Sequence, residues 1–335
     1  MTHLGLDSPA VTIALALAVG LIVQIIAHHV RLPGIVLLLA AGALLGPDLA
    51  NLVQPHTLGP ALRLLVGFAV AVVLFEGGLN LNLGRLRHES GVIQSLVTVG
   101  AVITGVGGTL AARWVLGWDW GVATLFGALV IVTGPTVIAP LVRRIRLNRN
   151  LQTILEAEGV LIDPIGAIIA VVALEIVISP SASSFISGVL HLFAKLGVGA
   201  LFGALAGLIM TVALRSRRLI PEGLENVLIL TLVLAAFHLS DAAQTESGIV
   251  AVTVAGMVVA NSRARVLRDL MEFKEQLTTL FIGMLFVLLA ADVRFVQVQS
   301  LGVPGLIVVA ILMFIVRPIN IIASTVGSRL RAGEK

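Results

Sequence analysis

The run EAEGVLIDPIGA, residues 156–167, sets three carboxylates into an apolar neighbourhood. Asp163 stands among Val, Leu and Ile residues with Pro164 after it. Taking a carboxylate out of water disfavours its charged form unless a proton, a cation or an opposite charge joins it. A group so placed can hold either a proton or a small hard cation, because such cations take oxygen ligands. The alternative is a neutral, hydrogen-bonded aspartate with a purely structural role. Pro164 removes a backbone donor and loosens the helix at that point. Glu158 lies five residues before Asp163, so the two do not share a helix face; it could pair with a buried base. Arg317, in VRPINI at 316–321, is the basic residue set deep in a late apolar run. Pairing Glu158 with Arg317 would make both buried charges tolerable; the alternative is that Arg317 snorkels to the membrane interface. Glu156, nearer the end of its run, reads as a funnel-mouth or surface residue.

The second stretch is VIVTGPTVIAPL, residues 130–141. Gly134 is flexible, and Pro135 cannot donate and pushes Gly134 away from helical angles; Pro140 adds a second break. The Thr133 and Thr136 hydroxyls and the freed carbonyls are then oxygens available to an ion. Non-helical backbone at membrane depth is tolerated where it lines a cavity, although a simple proline kink would share this sequence. Four acids carry weaker signals. Glu76, in LFEGGLNL at 74–81, could cap its helix or pair with Arg85. Asp241 and Glu246 flank a loop and suggest an acidic mouth. Asp292 is expected to pair with Arg294 at the surface. His238 and the His28–His29 pair lack ligand spacing, so no metal site is expected.

The elements that must hold these residues are apolar helices. Hydrophobic residues make up 58% of the 335 and charged residues only 12%, against about a quarter charged in soluble domains; the mean hydropathy is +1.08. Runs of about twenty apolar residues recur, each long enough to cross a bilayer core of about 30 Å. The reading is an all-α polytopic membrane protein, since in lipid the backbone must satisfy itself. Eleven spans are expected, at 9–29, 32–47, 58–82, 90–117, 120–142, 151–178, 185–214, 222–240, 245–262, 273–291 and 301–327. Seventeen of the 22 basic residues follow every second span: Arg31; Arg85 and Arg87; Arg143, Arg144, Arg146 and Arg149; Arg215, Arg217 and Arg218; Arg263, Arg265, Arg268 and Lys274; Arg329, Arg331 and Lys335. By the positive-inside rule these loops are cytoplasmic and the N-terminus is outside a cell (inner) membrane. The spread of the charge argues against a nucleic-acid footprint. The chain has 34 glycines, which suit close helix packing in lipid, and no cysteine, hence no disulfide or thiolate site.

Taken in order, LFEGGLNL, TGPTVIAPLVRR, EAEGVLIDPIGA, LFVLLAADV and VRPINI resemble the monovalent cation:proton antiporter superfamily, in the branch of sodium/hydrogen exchangers and NhaP-like transporters, over nearly the whole chain. The resemblance implies an inverted-repeat fold, residues 1–335 forming a single transmembrane unit with interleaved dimerisation and core parts, and a homodimer whose contact involves the first span. It casts Asp163 as the cation- and proton-binding aspartate, Glu158 and Arg317 as its supporting pair, and 133–136 as the break of a crossing helix. Three departures stand out. Ile162 occupies a position where the family commonly has Asn or Asp, Gly134 replaces the aspartate of a Thr-Asp-Pro, and the family usually has thirteen spans. The last two, including the second broken helix, are expected to be missing from a chain ending at Lys335.

The function implied is secondary exchange of a monovalent cation, sodium or potassium, for protons by alternating access through one buried aspartate, and electroneutral if only Asp163 titrates. Its partners would be the cation, the proton, membrane lipid and a second copy of the chain; nothing calls for a cofactor. An ion channel, or a ligand or pH sensor on the same fold, is the rival. An intramembrane aspartyl protease would need two carboxylates in one site, and neither a Ser-His pair nor His-Glu-x-x-His is present, so no enzyme is expected.

Overall fold

The computed structural model describes residues 8–30, 32–81, 83–134, 148–178, 182–215, 221, 224–262 and 267–326. Eight of the described helices are long and apolar enough to cross a membrane, and three shorter apolar ones fall between them. In chain order they are α1 (Pro9–Val30), α2 (Gly34–Leu45), α3 (Pro60–Asn80), α4 (Ser90–Leu116), α5 (Trp120–Leu129), α6 (Arg149–Ile178), α7 (Ala182–Arg215), α8 (Glu225–Ala243), α9 (Ser247–Ala260), α10 (Leu267–Asp292) and α11 (Phe295–Thr325). They follow the eleven expected spans in order, with three differences. Helix α10 begins at Leu267, ahead of 273. Helix α5 stops at Leu129, well short of 142. Helix α11 starts earlier than 301, because a first segment joins it across a bend at Gly302 (φ 48°), just before Pro304.

Local chemistry sets several ends. Pro9 opens α1 where its missing N–H costs nothing, and the Ser8 hydroxyl accepts from Val11 N at 3.2 Å. Gly117, left-handed at φ 69°, ends α4, and Asp119 caps α5 by accepting from Gly121 N at 3.1 Å. After α3, Asn261 takes over the backbone: its amide donates to Leu81 O at 3.0 Å and its Oδ1 accepts from Leu83 N at 2.9 Å.

The helices pack in two sets. In one, α3, α7 and α8 lie against α9, while α1 and α2 lie against α10. In the other, α5 packs on both α4 and α6, and α11 packs on α4. Helix α6 joins the sets, touching α3, α7 and α9 as well. Backbones in the first set approach closely. A Cβ on Gly78 of α3 would fall on the Thr253 carbonyl oxygen, and one on Gly256 of α9 would fall on that of Phe75. Between apolar helices in lipid, close approach of this kind supplies dispersion contact that no hydrophobic effect replaces.

The second set is fastened by polar groups. Helix α4 carries π-helical turns at Leu96–Gly100 and Ala112–Leu116, and α11 carries one at Leu312–Val316, ending just before Arg317. Buried Asn320 of α11 donates to Gly100 O at 3.1 Å and to Thr104 Oγ1 at 2.8 Å, and accepts from Ser324 at 3.2 Å. A π turn displaces the helical ladder, and here a side-chain amide from the neighbouring helix meets one of its carbonyls.

The expected Asp292–Arg294 surface pair gives way to another. Arg294 reaches Asp48 at 2.9 Å, and the second Asp48 oxygen accepts from Phe295 N at 2.6 Å. The reason is packing: α2 ends against α10, where Gly42 and Gly46 sit on Val287 and Ala291, which brings Asp48 over the start of α11. The Phe295 amide, then Arg294, hold the Asp48 carboxyl below its ordinary value. The basic residues that orient the chain fall mostly outside the described residues or have side chains that do.

Two outcomes follow. Gly78→Leu must push α3 off α9; overpacking of this kind costs roughly 1–3 kcal/mol, to be read as an earlier thermal transition of the detergent-solubilised protein. A depressed carboxyl stabilises above its unfolded value and loses that contribution as pH falls through the folded one. Asp48→Asn should therefore lower the transition slightly at neutral pH, and the difference from the unsubstituted protein should shrink in melts run at increasingly acidic pH, below the ordinary carboxyl range.

Candidate functional site

Helix α6 runs unbroken through Pro164, which lies inside it. Its continuity fixes the angular relation between its two central acids, and the structure gives each a different partner. Glu158, only 3% exposed, turns to α11, where Arg317 Nη2 meets its Oε1 at 2.9 Å. Arg317 keeps 31% of its side chain exposed, so it pairs at one end while its stem borders open space. Asp163, half-buried, turns instead to the break after α5: Gly134 N donates to its Oδ1 at 3.2 Å. Gly134 has φ 53°, a left-handed conformation that glycine enters without penalty, and this turns its amide toward Asp163.

The break begins where α5 ends. Residues 132–134 are non-helical, and the buried Thr133 hydroxyl has no hydrogen-bond partner among the described residues. Thr133 lines a cavity of about 310 Å³ together with Thr104, Val130, Met313, Val316 and Arg317. Pro135 and Thr136, the rest of the expected break, and Pro140 lie outside the described residues. Ile162, where a second ligand was conceivable, is 2% exposed and packs in an apolar cluster with Leu81, Ile93, Ile131 and Val160. It contributes no oxygen. Gly77, from LFEGGLNL, lies against Val160 on the stretch of α6 between Glu158 and Asp163.

Chemically, the site has one carboxylate committed to a guanidinium and one held, among the described residues, by a single backbone amide. A carboxylate has about four acceptor positions, so Asp163 keeps capacity for a proton or a cation, with the Thr133 hydroxyl one residue from the amide that touches it. Glu156 accepts from Gln152 at 2.9 Å on its own helix and takes no part.

Sequence reasoning passed over one buried charge. Lys195 of α7 is 1% exposed, more deeply buried than Arg317, with Nζ 3.6 Å from Glu175 Oε1 of α6. The cost of an intramembrane charge would have flagged it. It lies nearer a helix end than Asp163, where a lysine ordinarily snorkels.

With this geometry in place, comparison with known proteins is informative. A model of the sodium/hydrogen exchanger transmembrane family matches residues 13–335. The Na(+)/H(+) antiporter 1 of Methanocaldococcus jannaschii is 24% identical over 330 residues, covering 96% of this chain and 77% of that protein. The K(+)/H(+) antiporter NhaP2 of Shewanella oneidensis is 26% identical over 311 residues, covering 92% of this chain but 53% of its own length, so the chain spans about half of that relative. The solved structure of the sodium proton antiporter MjNhaP1 from M. jannaschii superposes with a TM-score of 0.83 at 23% identity, over 96% of this chain and 79% of the other, which shows a shared fold. The chain is a multi-pass membrane protein and belongs to the sodium/hydrogen exchanger transmembrane family.

Proposed function

We propose that the protein exchanges a monovalent cation, sodium or potassium, for protons across a cell membrane by alternating access, with Asp163 as the group that holds one or the other. The observation that carries this reading is the different treatment of two acids on one helix. Glu158 is neutralised by Arg317 at 2.9 Å, whereas among the described residues Asp163 meets the Gly134 amide alone, beside a Thr133 hydroxyl that has no partner there. One carboxylate cannot hold proton and cation together, so the competition itself couples the two fluxes. With Glu158 engaged, one proton per cation is the simplest stoichiometry, hence electroneutral exchange. Relatives described as sodium/proton and potassium/proton antiporters support the reaction class and leave both cations in play.

The N-terminus is placed outside and the basic loops in the cytoplasm. In this scheme α4, α5, α6 and α11 move as the core against the remaining helices. Homodimerisation through α1 belongs to the same reading, since Leu21, Ile22, Ile25 and Ile26 form an open apolar face there.

The test is transport. In proteoliposomes under a sodium or potassium gradient, followed by an internal pH dye, the protein should give a cation-dependent pH change that Asp163→Asn abolishes. No response to either ion, or a response that survives the substitution, overturns the reading; ion flux without a pH response would point to a channel. In the same assay Thr133→Val should raise the cation KM roughly 2–10-fold, the worth of about one hydrogen-bond-sized contact. Arg317→Met strands the buried Glu158 charge and should destabilise by about 3–5 kcal/mol; adding Glu158→Gln should recover most of that loss, measured by thermal melting.

A further inference from the structure

A second charged cluster lies at the end of the bundle where α1 begins, away from the Asp163 site. Lys195 is buried in α7, and its ammonium has no hydrogen-bond partner among the described residues. Its contact is the long ion pair at 3.6 Å to Glu175, a side chain 48% exposed near the end of α6. His191, one turn away on α7, sits 3.9 Å from the other Glu175 oxygen. One turn after Lys195, Gly199 of α7 lies against the Ser247 carbonyl at the start of α9, which brings the corner between α8 and α9 to the cluster. There Asp241 accepts from Gly248 N at 3.3 Å, and Glu246 begins α9 in a left-handed conformation, φ 68°. A glutamate at that angle is uncommon and costs backbone energy.

Burial, then the Asp241 carboxylate, makes Glu246 easier to protonate than an ordinary glutamate, and the Lys195 charge works against both. Lys195 thus stands between two acidic groups carried by different elements: Glu175 on the helix that bears Asp163, and the Asp241–Glu246 corner on helices of the other set. An ammonium offers three donors, and a buried charge is tolerated through close, well-formed pairing. The one ion pair Lys195 makes among the described residues, at 3.6 Å, is a loose hold, suited to a cation that changes partners.

We infer that Lys195 is a positioning residue that ties α6 to α7 through Glu175 and passes to the Asp241–Glu246 corner when α6 slides, so that one buried cation biases which face of the Asp163 site is open. The α6–α7 contact beside it is close: Gly188 lies against Val172, where an added Cβ would come within 2.8 Å of a Val172 methyl. The inference rests on the exchange reading for why α6 moves. The Lys195–Glu175 tie itself stands on geometry.

The native chain has no cysteine, so Val172→Cys gives a single reporter at that surface. Its rate of modification by a membrane-impermeant thiol reagent reads the position of α6 independently of transport. Lys195→Met and Glu175→Gln should each shift that rate by the same factor, roughly tenfold, equivalent to about 1.4 kcal/mol. The two together should shift it no further, because they break one pair. The exchanged pair, Lys195→Glu with Glu175→Lys, should return the rate toward its starting value, and Lys195→Arg should change it little; both serve if either neutral variant fails to fold. Unchanged rates, additive shifts or no recovery in the exchanged pair overturn the tie. If the labelling behaves as expected and Lys195→Met leaves the cation KM and turnover untouched in an actively exchanging protein, the bias on the Asp163 site is overturned. If the native chain itself exchanges neither ion, the exchange reading fails while the labelling still reports the tie.

Discussion

A charge away from water must find a partner, and in a bilayer the partner has to come from another helix. That constraint organises this molecule around α6. Glu158 draws in Arg317 from α11, so α6 and α11 must meet at that depth; Asn320 fastens α11 in turn to α4, at the π turn holding Gly100. Asp163 needs a donor on another face of α6, and the chain supplies it by ending α5 early and turning Gly134 into a left-handed conformation. The break is therefore as much a requirement of the aspartate as the aspartate is of the break.

The partners differ in strength, and the proposed function rests on the difference. A guanidinium neutralises Glu158 permanently, because arginine does not lose its proton. The backbone amide of Gly134, Asp163's one partner among the described residues, leaves it with acceptor capacity to fill. Ile162, sealed in an apolar cluster, adds no competing ligand. The packing around the site is economical: glycines let α3 and α9 touch backbone to backbone, making a stiff frame beside the more polar contacts of α4, α6 and α11.

Much of this was legible in the sequence, and the parts that were not share a cause. The spans could be read because apolar runs of membrane length depend on local composition alone. A break near Gly134 could be read because Gly134–Pro135 disfavours regular helix locally, whereas the end of α5 at Leu129, ahead of the expected 142, could not. Partners were harder. Arg294 was assigned to its neighbour Asp292, yet α2 brings Asp48 to it from far along the chain. Asn320 gave no signal, since an amide two residues after a proline looks ordinary until Gly100 and Thr104 are beside it. Lys195 was visible as a residue and silent as a contact: its burial comes from the packing of α7 on α6 and α9. Sequence shows which groups need a partner, and helix packing decides which one they get.

The central claim is that Asp163 holds a proton or a cation and never both. Calorimetric titration of the purified protein with sodium or potassium, in buffers of different ionisation enthalpy, tests it without a membrane or a transport cycle. Where Asp163 is protonated, each cation bound should release one proton, and apparent affinity should fall tenfold per pH unit. Cation binding with no proton release at any pH would contradict the account.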